Sequence, residues 1–281
     1  LNQIACKVAH ALAAGCTMIL KPSEYTPSSA LIFAEILHEA GVPEDVLQFL
    51  PGDGATVGAA LTSDPRVTGV VFTGSTETAW AINRALAARN APLATLIAET
   101  GGQNALIADS SALPEQLVND AVMAAFDSAG QRCSAARILF VQSDIAERTL
   151  ELLAGKMDEL TVGDPGLLST DIGPVIDEDA KALLVAHADR MNREARLVKA
   201  CKLSDACEHG SFFAPRAYEI SGLSQLTREI FGPVLHVIRY DADKLDDILT
   251  QINDTGYGLT LGIHSRIDET VNKIAKTVRV G

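Results

Sequence analysis

The sequence predicts an α/β fold built on a mostly parallel, doubly wound sheet. Two observations carry that prediction. Through the first hundred residues, short apolar or β-branched runs alternate with segments of helical periodicity, the pattern of parallel strands joined by crossover helices. The 281 residues are also 47% hydrophobic and 21% charged, enough apolar mass for one large or two medium cores.

The elements follow in order. Residues 5–14 read as a helix closed near Gly15, and 17–20 as a short strand. Residues 27–40 read as a helix with Thr26 as N-cap, Pro27 in the first turn and Gly41 past the end. Residues 46–50 suit a strand, 55–63 a helix, 67–72 a β-branched strand and 76–88 a helix. A strand at 93–98 runs into Glu99-Thr100-Gly101-Gly102, where a boundary is expected between a region 1–98 and a region 99–281. Beyond it, Leu117, Val118, Ala121, Val122 and Ala125 keep helical spacing. Residues 138–141 suit a strand, 145–160 a helix, 167–174 a loop, and 235–240 and 259–264 further strands.

Composition narrows the function classes. Acidic residues outnumber basic ones 36 to 23, for a net charge of −13. Nucleic-acid binding, which needs a cationic footprint, is not expected. No apolar run reaches the length of a membrane span. Cys6, Cys16, Cys133, Cys201 and Cys207 are odd in number and show no CxxC spacing. Neither a disulfide framework nor a metal site is expected, and a reducing, cytoplasmic setting fits.

Five motifs are candidates for chemistry. In AFDSAGQRCSAAR, Cys133 lies among small and polar residues between Arg132 and Arg137. A nucleophilic thiol needs access and nearby positive potential, and CSAAR is expected to open a short helical turn whose N–H groups favour a thiolate. The bland alternative is a half-buried residue after a helix cap. Glu99 ends an apolar strand before two glycines and is a candidate general base, or else a solvated turn residue. In FTGST, Gly74 turns the chain and Ser75 opens a helix. That N-terminus suits a phosphate, or is an ordinary cap. In KPSE, Lys21 and Glu24 suit the hydroxyls of an adenosine ribose, with Glu24 disfavouring a 2′-phosphate. They equally suit a solvated ion pair. In REIFGPVL, Glu229 beside Phe231 suits a second ribose and an aromatic pocket wall, or a surface turn.

KPSE, FTGST, ETGG, GQRCS, EIFGPV and NDTGYGLT occur in this order along nearly the whole chain, and as an ordered set they resemble the aldehyde dehydrogenase superfamily. IAETGGQNALIADSSALPEQ, GDGATVGAAL and STDIGPVID resemble one branch, the glutamate-γ-semialdehyde (Δ1-pyrroline-5-carboxylate) dehydrogenase domain of bifunctional proline-utilisation enzymes. The first 25 or so residues look more like generic members.

The resemblance implies an aldehyde-dehydrogenase-like fold. Residues 1–98 would be part of a doubly wound, Rossmann-type NAD-binding domain and 99–281 a C-terminally truncated α/β catalytic domain. It also implies Cys133 as nucleophile and Glu99 as the base that activates water. Lys21 and Glu24 would hold the adenosine ribose, Gly74 and Ser75 the pyrophosphate, and Glu229 with Phe231 the nicotinamide side. Ser134 would meet the substrate carboxylate. NAD is the expected cofactor and a small aldehyde the substrate. Another aliphatic or amino aldehyde, or a catalytically incomplete nucleotide-binding fragment, is the alternative. The full-length protein is expected to be a homo-oligomer, with a possible fused proline dehydrogenase domain upstream. The family's oxyanion-binding Asn is expected before Leu1, and its substrate-anchoring loop and oligomerisation segment beyond Gly281. Residues 1–281 are therefore expected to be a fragment with little activity alone.

Overall fold

The structure, a computed structural model, describes residues 2–281. It divides into two compact units, Leu1–Thr100 and Gly101–Gly281.

In the first unit, α1 (Asn2–Ala13) precedes β1 (Met18–Leu20), α2 (Pro27–Glu39) and β2 (Leu47–Phe49). A five-residue π-helical turn, Gly54–Gly58, leads into α3 (Ala59–Ser63), and β3 (Gly69–Thr73), α4 (Thr76–Ala87) and β4 (Thr95–Glu99) follow. The strands are parallel, as their alternation with helices requires. Among the described residues they form two pairs rather than one sheet: β1 with β2, and β3 with β4. A small core of Val8, Leu20, Ala30, Ala34 and Leu47 packs the first pair. Ile32 and Ile36 on α2, and Val71 and Ile97 on the second pair, stay exposed. Two local expectations change. Thr26 makes no side-chain cap bond, so α2 starts on Pro27 alone, whose fixed φ suits a first turn. The helix expected over 55–63 opens as the wide turn, capped by Asp53, which accepts from the Thr56 amide at 2.6 Å.

The second unit is a six-stranded sheet. Its elements are β5 (Ala105–Ala108), α5 (Pro114–Phe126), β6 (Ile138–Gln142), α6 (Ser143–Asp158), α7 (Glu178–Glu194), β7 (Arg196–Ala200), β8 (Arg216–Glu219), β9 (Val234–Tyr240), α8 (Leu245–Asp254), β10 (Leu261–His264) and α9 (Asp268–Thr277). The strand order is β10-β5-β6-β9-β8-β7. All neighbours are parallel except β7 and β8. Ile107, Phe140 and Ile238 stand in one register across β5, β6 and β9. Strands β5 and β6 are buried along their whole length, so they read as apolar runs rather than alternating ones, β6 ending on the buried Gln142. Helix α5 buries Leu117, Val118, Ala121, Val122, Ala125 and Phe126, the stripe that its spacing predicts.

Candidate active site

The parallel strands of the second unit set out a row of loops. Asn104 immediately precedes β5, residues 130–137 precede β6, Glu229–Gly232 precede β9, and Thr260 precedes β10. Because these four strands are parallel neighbours, the four segments lie side by side at the amino ends of the strands. Glu99, in the first unit, ends β4 at its carboxyl end.

The segment before Cys133 is unlike the helix cap that the sequence suggests. Helix α5 stops at Phe126, and Ser128, Ala129 and Gly130 follow with φ of 56°, 54° and 64°. Left-handed backbone costs a non-glycine residue roughly 1–2 kcal/mol, so two consecutive residues here are strained. Gly130 has no substitute, since a Cβ there would run into the carbonyls of Gly232 and Ala125. CSAAR does not open a helix: it makes a single turn closed by Ala135 N–H donating to the Arg132 carbonyl at 3.0 Å. The expected support from a helix N-terminus is therefore absent, and side chains hold the turn instead.

Two buried side chains do this. Asn104 donates from Nδ2 to the carbonyls of Cys133, at 2.6 Å, and Ala135, at 3.0 Å, while its Oδ1 accepts from the Thr260 amide at 3.2 Å. Arg137, with 1% of its side chain exposed, donates to the Gly130 carbonyl at 2.6 Å, the Arg132 carbonyl at 3.0 Å and the Gly232 carbonyl at 3.2 Å. Its Nη2 and Nε reach Glu229 Oε1 at 3.1 and 3.3 Å, and its guanidinium lies 5.1 Å from the ring centre of the exposed Phe231. Burial lowers the Arg137 pKa, and the charges of Glu229 and Cys133 act against that fall. Gly101 closes the far side of Glu229, where any side chain would overlap the carboxylate.

Behind this row, His236 on β9 is fully buried, with Nδ1 3.1 Å from the Arg137 carbonyl and Nε2 2.9 Å from His187 Nε2. A carbonyl only accepts, so Nδ1 of His236 carries the proton and its Nε2 accepts from His187. Burial pushes His236 down to about 3 and His187 to about 4.

Of the five thiols, Cys133 is the half-buried one in this row, with the exposed Ser134 beside it. Cys201 and Cys207 are buried, and burial raises the Cys201 thiol to about 11. Cys6 and Cys16 are exposed in the first unit. There, Lys21 Nζ donates to Glu24 at 3.3 Å and to the Pro22 and Gly52 carbonyls, both at 2.8 Å. A bond from its own backbone amide and one from Lys21 lower the Glu24 pKa. Ser75 accepts from the Thr78 amide at 3.1 Å as cap of α4, and the Gly74 amide donates to the Glu99 carbonyl at 3.2 Å. The Glu99 side chain is exposed.

The family model described as the aldehyde dehydrogenase family matches residues 1–281. The chain belongs to the aldehyde dehydrogenase family. It is 52% identical over 283 residues to the bifunctional protein PutA of Klebsiella aerogenes, covering 98% of this chain and 22% of the relative. It is 35% identical over 277 residues to 1-pyrroline-5-carboxylate dehydrogenase of Geobacillus thermodenitrificans, covering 96% and 53%. A crystal structure of bifunctional proline utilization A superposes with a TM-score of 0.94 at 53% identity, covering 98% of this chain and 28% of that one. The chain thus spans about a fifth of the bifunctional relative and about half of the other.

Within this aldehyde dehydrogenase chain, the second unit brings Cys133, Glu229 and Phe231 together through Arg137. In the first unit, Gly74 and Glu99 meet through the backbone and Lys21 meets Glu24. Asn104 escaped the sequence reading, and Arg137 entered it only as a neighbour of Cys133. The one available signal for Asn104 was a polar residue directly before a wholly apolar strand.

A nicotinamide dinucleotide, which the family implies, fits the residues present. Glu24 offers an ionised, half-exposed carboxylate, and α4 offers the N-terminus of a twelve-residue helix. Those suit a ribose diol and a pyrophosphate. Among the described residues, no group of His, Cys, Asp and Glu is arranged to hold a metal ion, and no helix is long and apolar enough to cross a membrane.

Proposed function

We propose that this chain carries the nucleophile and cofactor groups of an NAD-dependent dehydrogenase that oxidises glutamate-γ-semialdehyde to glutamate in proline catabolism. The seating of Cys133 carries this reading: a half-buried thiol in a turn held by two buried side chains, in a chain matched by the family along its whole length. The name of the 1-pyrroline-5-carboxylate dehydrogenase relative supports the substrate, and that of the proline utilization A structure supports the pathway.

The Cys133 sulfur attacks the aldehyde carbon, forming a C–S bond and a tetrahedral thiohemiacetal. Lys21 and Glu24 hold the adenosine ribose of NAD, Gly74 and Ser75 its pyrophosphate, and Glu229 with Phe231 its nicotinamide side. When bound, NAD supplies the two-electron acceptor for the aldehyde hydrogen. Cys133 retains the acyl group as a thioester. Glu99 takes a proton from water, and the oxygen adds to the acyl carbon. The C–S bond breaks, the sulfur regains its electron pair, and the acid leaves. Ser134, exposed beside the nucleophile, meets the substrate carboxylate. A carboxylate at Glu24 repels a 2′-phosphate, so NAD is preferred over NADP. An upstream proline dehydrogenase activity in the same polypeptide would supply the semialdehyde, a reading that the words "bifunctional" and "proline utilization" in the relatives' names support.

The test is NADH formation by the full-length protein with glutamate-γ-semialdehyde, beside acetaldehyde, succinic semialdehyde and NADP. Preference for the amino-acid aldehyde with NAD supports the reading. Equal turnover of a simple aliphatic aldehyde would replace the substrate assignment, and no turnover of any aldehyde would remove the activity.

A further inference from the structure

The Arg137 guanidinium has five N–H donors, and the five bonds it makes account for all of them. Three go to carbonyls that shape the site: Gly130 at the end of the left-handed turn, Arg132 directly before the nucleophile, and Gly232 just past Phe231. The other two converge on one oxygen of Glu229. The second oxygen, Oε2, takes no hydrogen bond among the described residues and faces Gly101. A buried guanidinium so placed does more than fill space. It ties the loop of the thiol to the loop of the carboxylate, and it holds that carboxylate by one oxygen while leaving the other as an acceptor.

We propose that Arg137 is a positioning residue that sets the Cys133 turn and the Glu229 carboxylate in register, so that the nucleophile and this ribose acceptor are built together. This rests on the reading of Cys133 as nucleophile and Glu229 as a ribose acceptor. Lysine cannot replace it: an ammonium has three donors at one point, where the site needs a planar fork reaching four acceptor atoms. Glu229 in turn supports the thiol. Without its charge, the guanidinium loses its counter-ion and the grip on the Arg132 carbonyl loosens.

The experiment uses the full-length protein and two readouts that need no aldehyde. One is the rate at which iodoacetamide modifies Cys133, mapped by mass to separate it from the exposed Cys6 and Cys16. The other is NAD affinity by calorimetry. Arg137→Lys is expected to fold, yet to slow Cys133 alkylation and weaken NAD binding by about 10-fold each. It should also lower kcat by about 100-fold, the cost of roughly 1 Å of misplacement. Glu229→Gln is expected to slow alkylation of Cys133 in the cofactor-free protein by about 3-fold or more, an effect that a carboxylate serving only the ribose would not have. Arg137→Lys with both readouts within about 2-fold of the parent would overturn the proposal. Should Arg137→Lys fail to fold, Glu229→Gln decides alone: unchanged alkylation overturns it and slowed alkylation upholds it. Absence of semialdehyde turnover in the parent would remove the substrate assignment while leaving both readouts legible.

Discussion

In the first unit, Lys21 bonds Glu24 three residues away, and Ser75 caps α4 through Thr78, again three residues on. In the second, Asn104 reaches Cys133 and Ala135, and Arg137 reaches Glu229 and Gly232. The first set is more exposed and, apart from the Lys21 bond to the Gly52 carbonyl, locally tied; the second is more buried and tied between the loops of different strands. The difference divides the labour. An exposed pair such as Lys21–Glu24 adds about 0–1 kcal/mol to stability, so those side chains are free to serve a ligand. Removing one partner of a buried pair costs about 3–5 kcal/mol, so the Arg137–Glu229 pair binds chemistry and folding together.

The sharpest test of that division is Cys133→Ser. Its oxidation rate should fall by about 10⁴-fold or more, as loss of a nucleophile does, with NAD affinity by calorimetry unchanged. A matching loss of affinity would show that the thiol also builds the cofactor site. Glu99→Gln should lower steady-state turnover by about 10²–10⁴-fold, the usual worth of a general base, while leaving a first-turnover burst of NADH. Loss of the burst as well would make Glu99 a holder of structure, placing it with the buried set.

The histidine pair tests the second unit by stability. His187 and His236 sit at about 4 and about 3, below the ordinary 6.5, so the unfolded chain takes up protons that the fold refuses. Their contribution is complete above pH 6.5 and is lost as pH falls toward about 4. At about pH 5 the loss should be about 2 kcal/mol per histidine, measured as a falling urea midpoint. A midpoint that stays flat between pH 7 and 5 would show that the pair opens to solvent. The smallest effect belongs to the first unit. Glu24→Ala should narrow the preference for NAD over NADP by about 10-fold, worth about 1.4 kcal/mol, with the melting temperature unchanged. A large drop in melting temperature would place Glu24 among the structural groups.

How far the sequence was legible follows the same line. Local groups announced themselves: the Ser75 cap, the Lys21–Glu24 spacing and the apolar run of β6 are all written within a few residues. The residues that hold Cys133 were not. The acceptors of Asn104 and Arg137 are mostly backbone carbonyls, which carry no side-chain signature, and they lie in the loops that precede β6 and β9. The short helical turn expected from Cys133 onward is present only as a single turn closed at Ala135, because small residues such as Ser134 and Ala135 suit a turn as readily as a helix start. Strands β7 and β8 went unread because they pair with each other in a shifted antiparallel register at the edge of a parallel sheet.

The left-handed turn at Ser128, Ala129 and Gly130 limits which neighbouring sequences remain open to change. Glycine at 128 or 129 relieves local strain, and asparagine or aspartate at 128 tolerates it. Valine, isoleucine or threonine at either position meets the steepest barrier, since a branched Cβ fits this backbone worst. A randomised library across 128–130 should therefore return a narrow alphabet, with residue 130 invariant. The few residues just before the thiol are thus constrained by backbone shape even where their side chains touch no ligand.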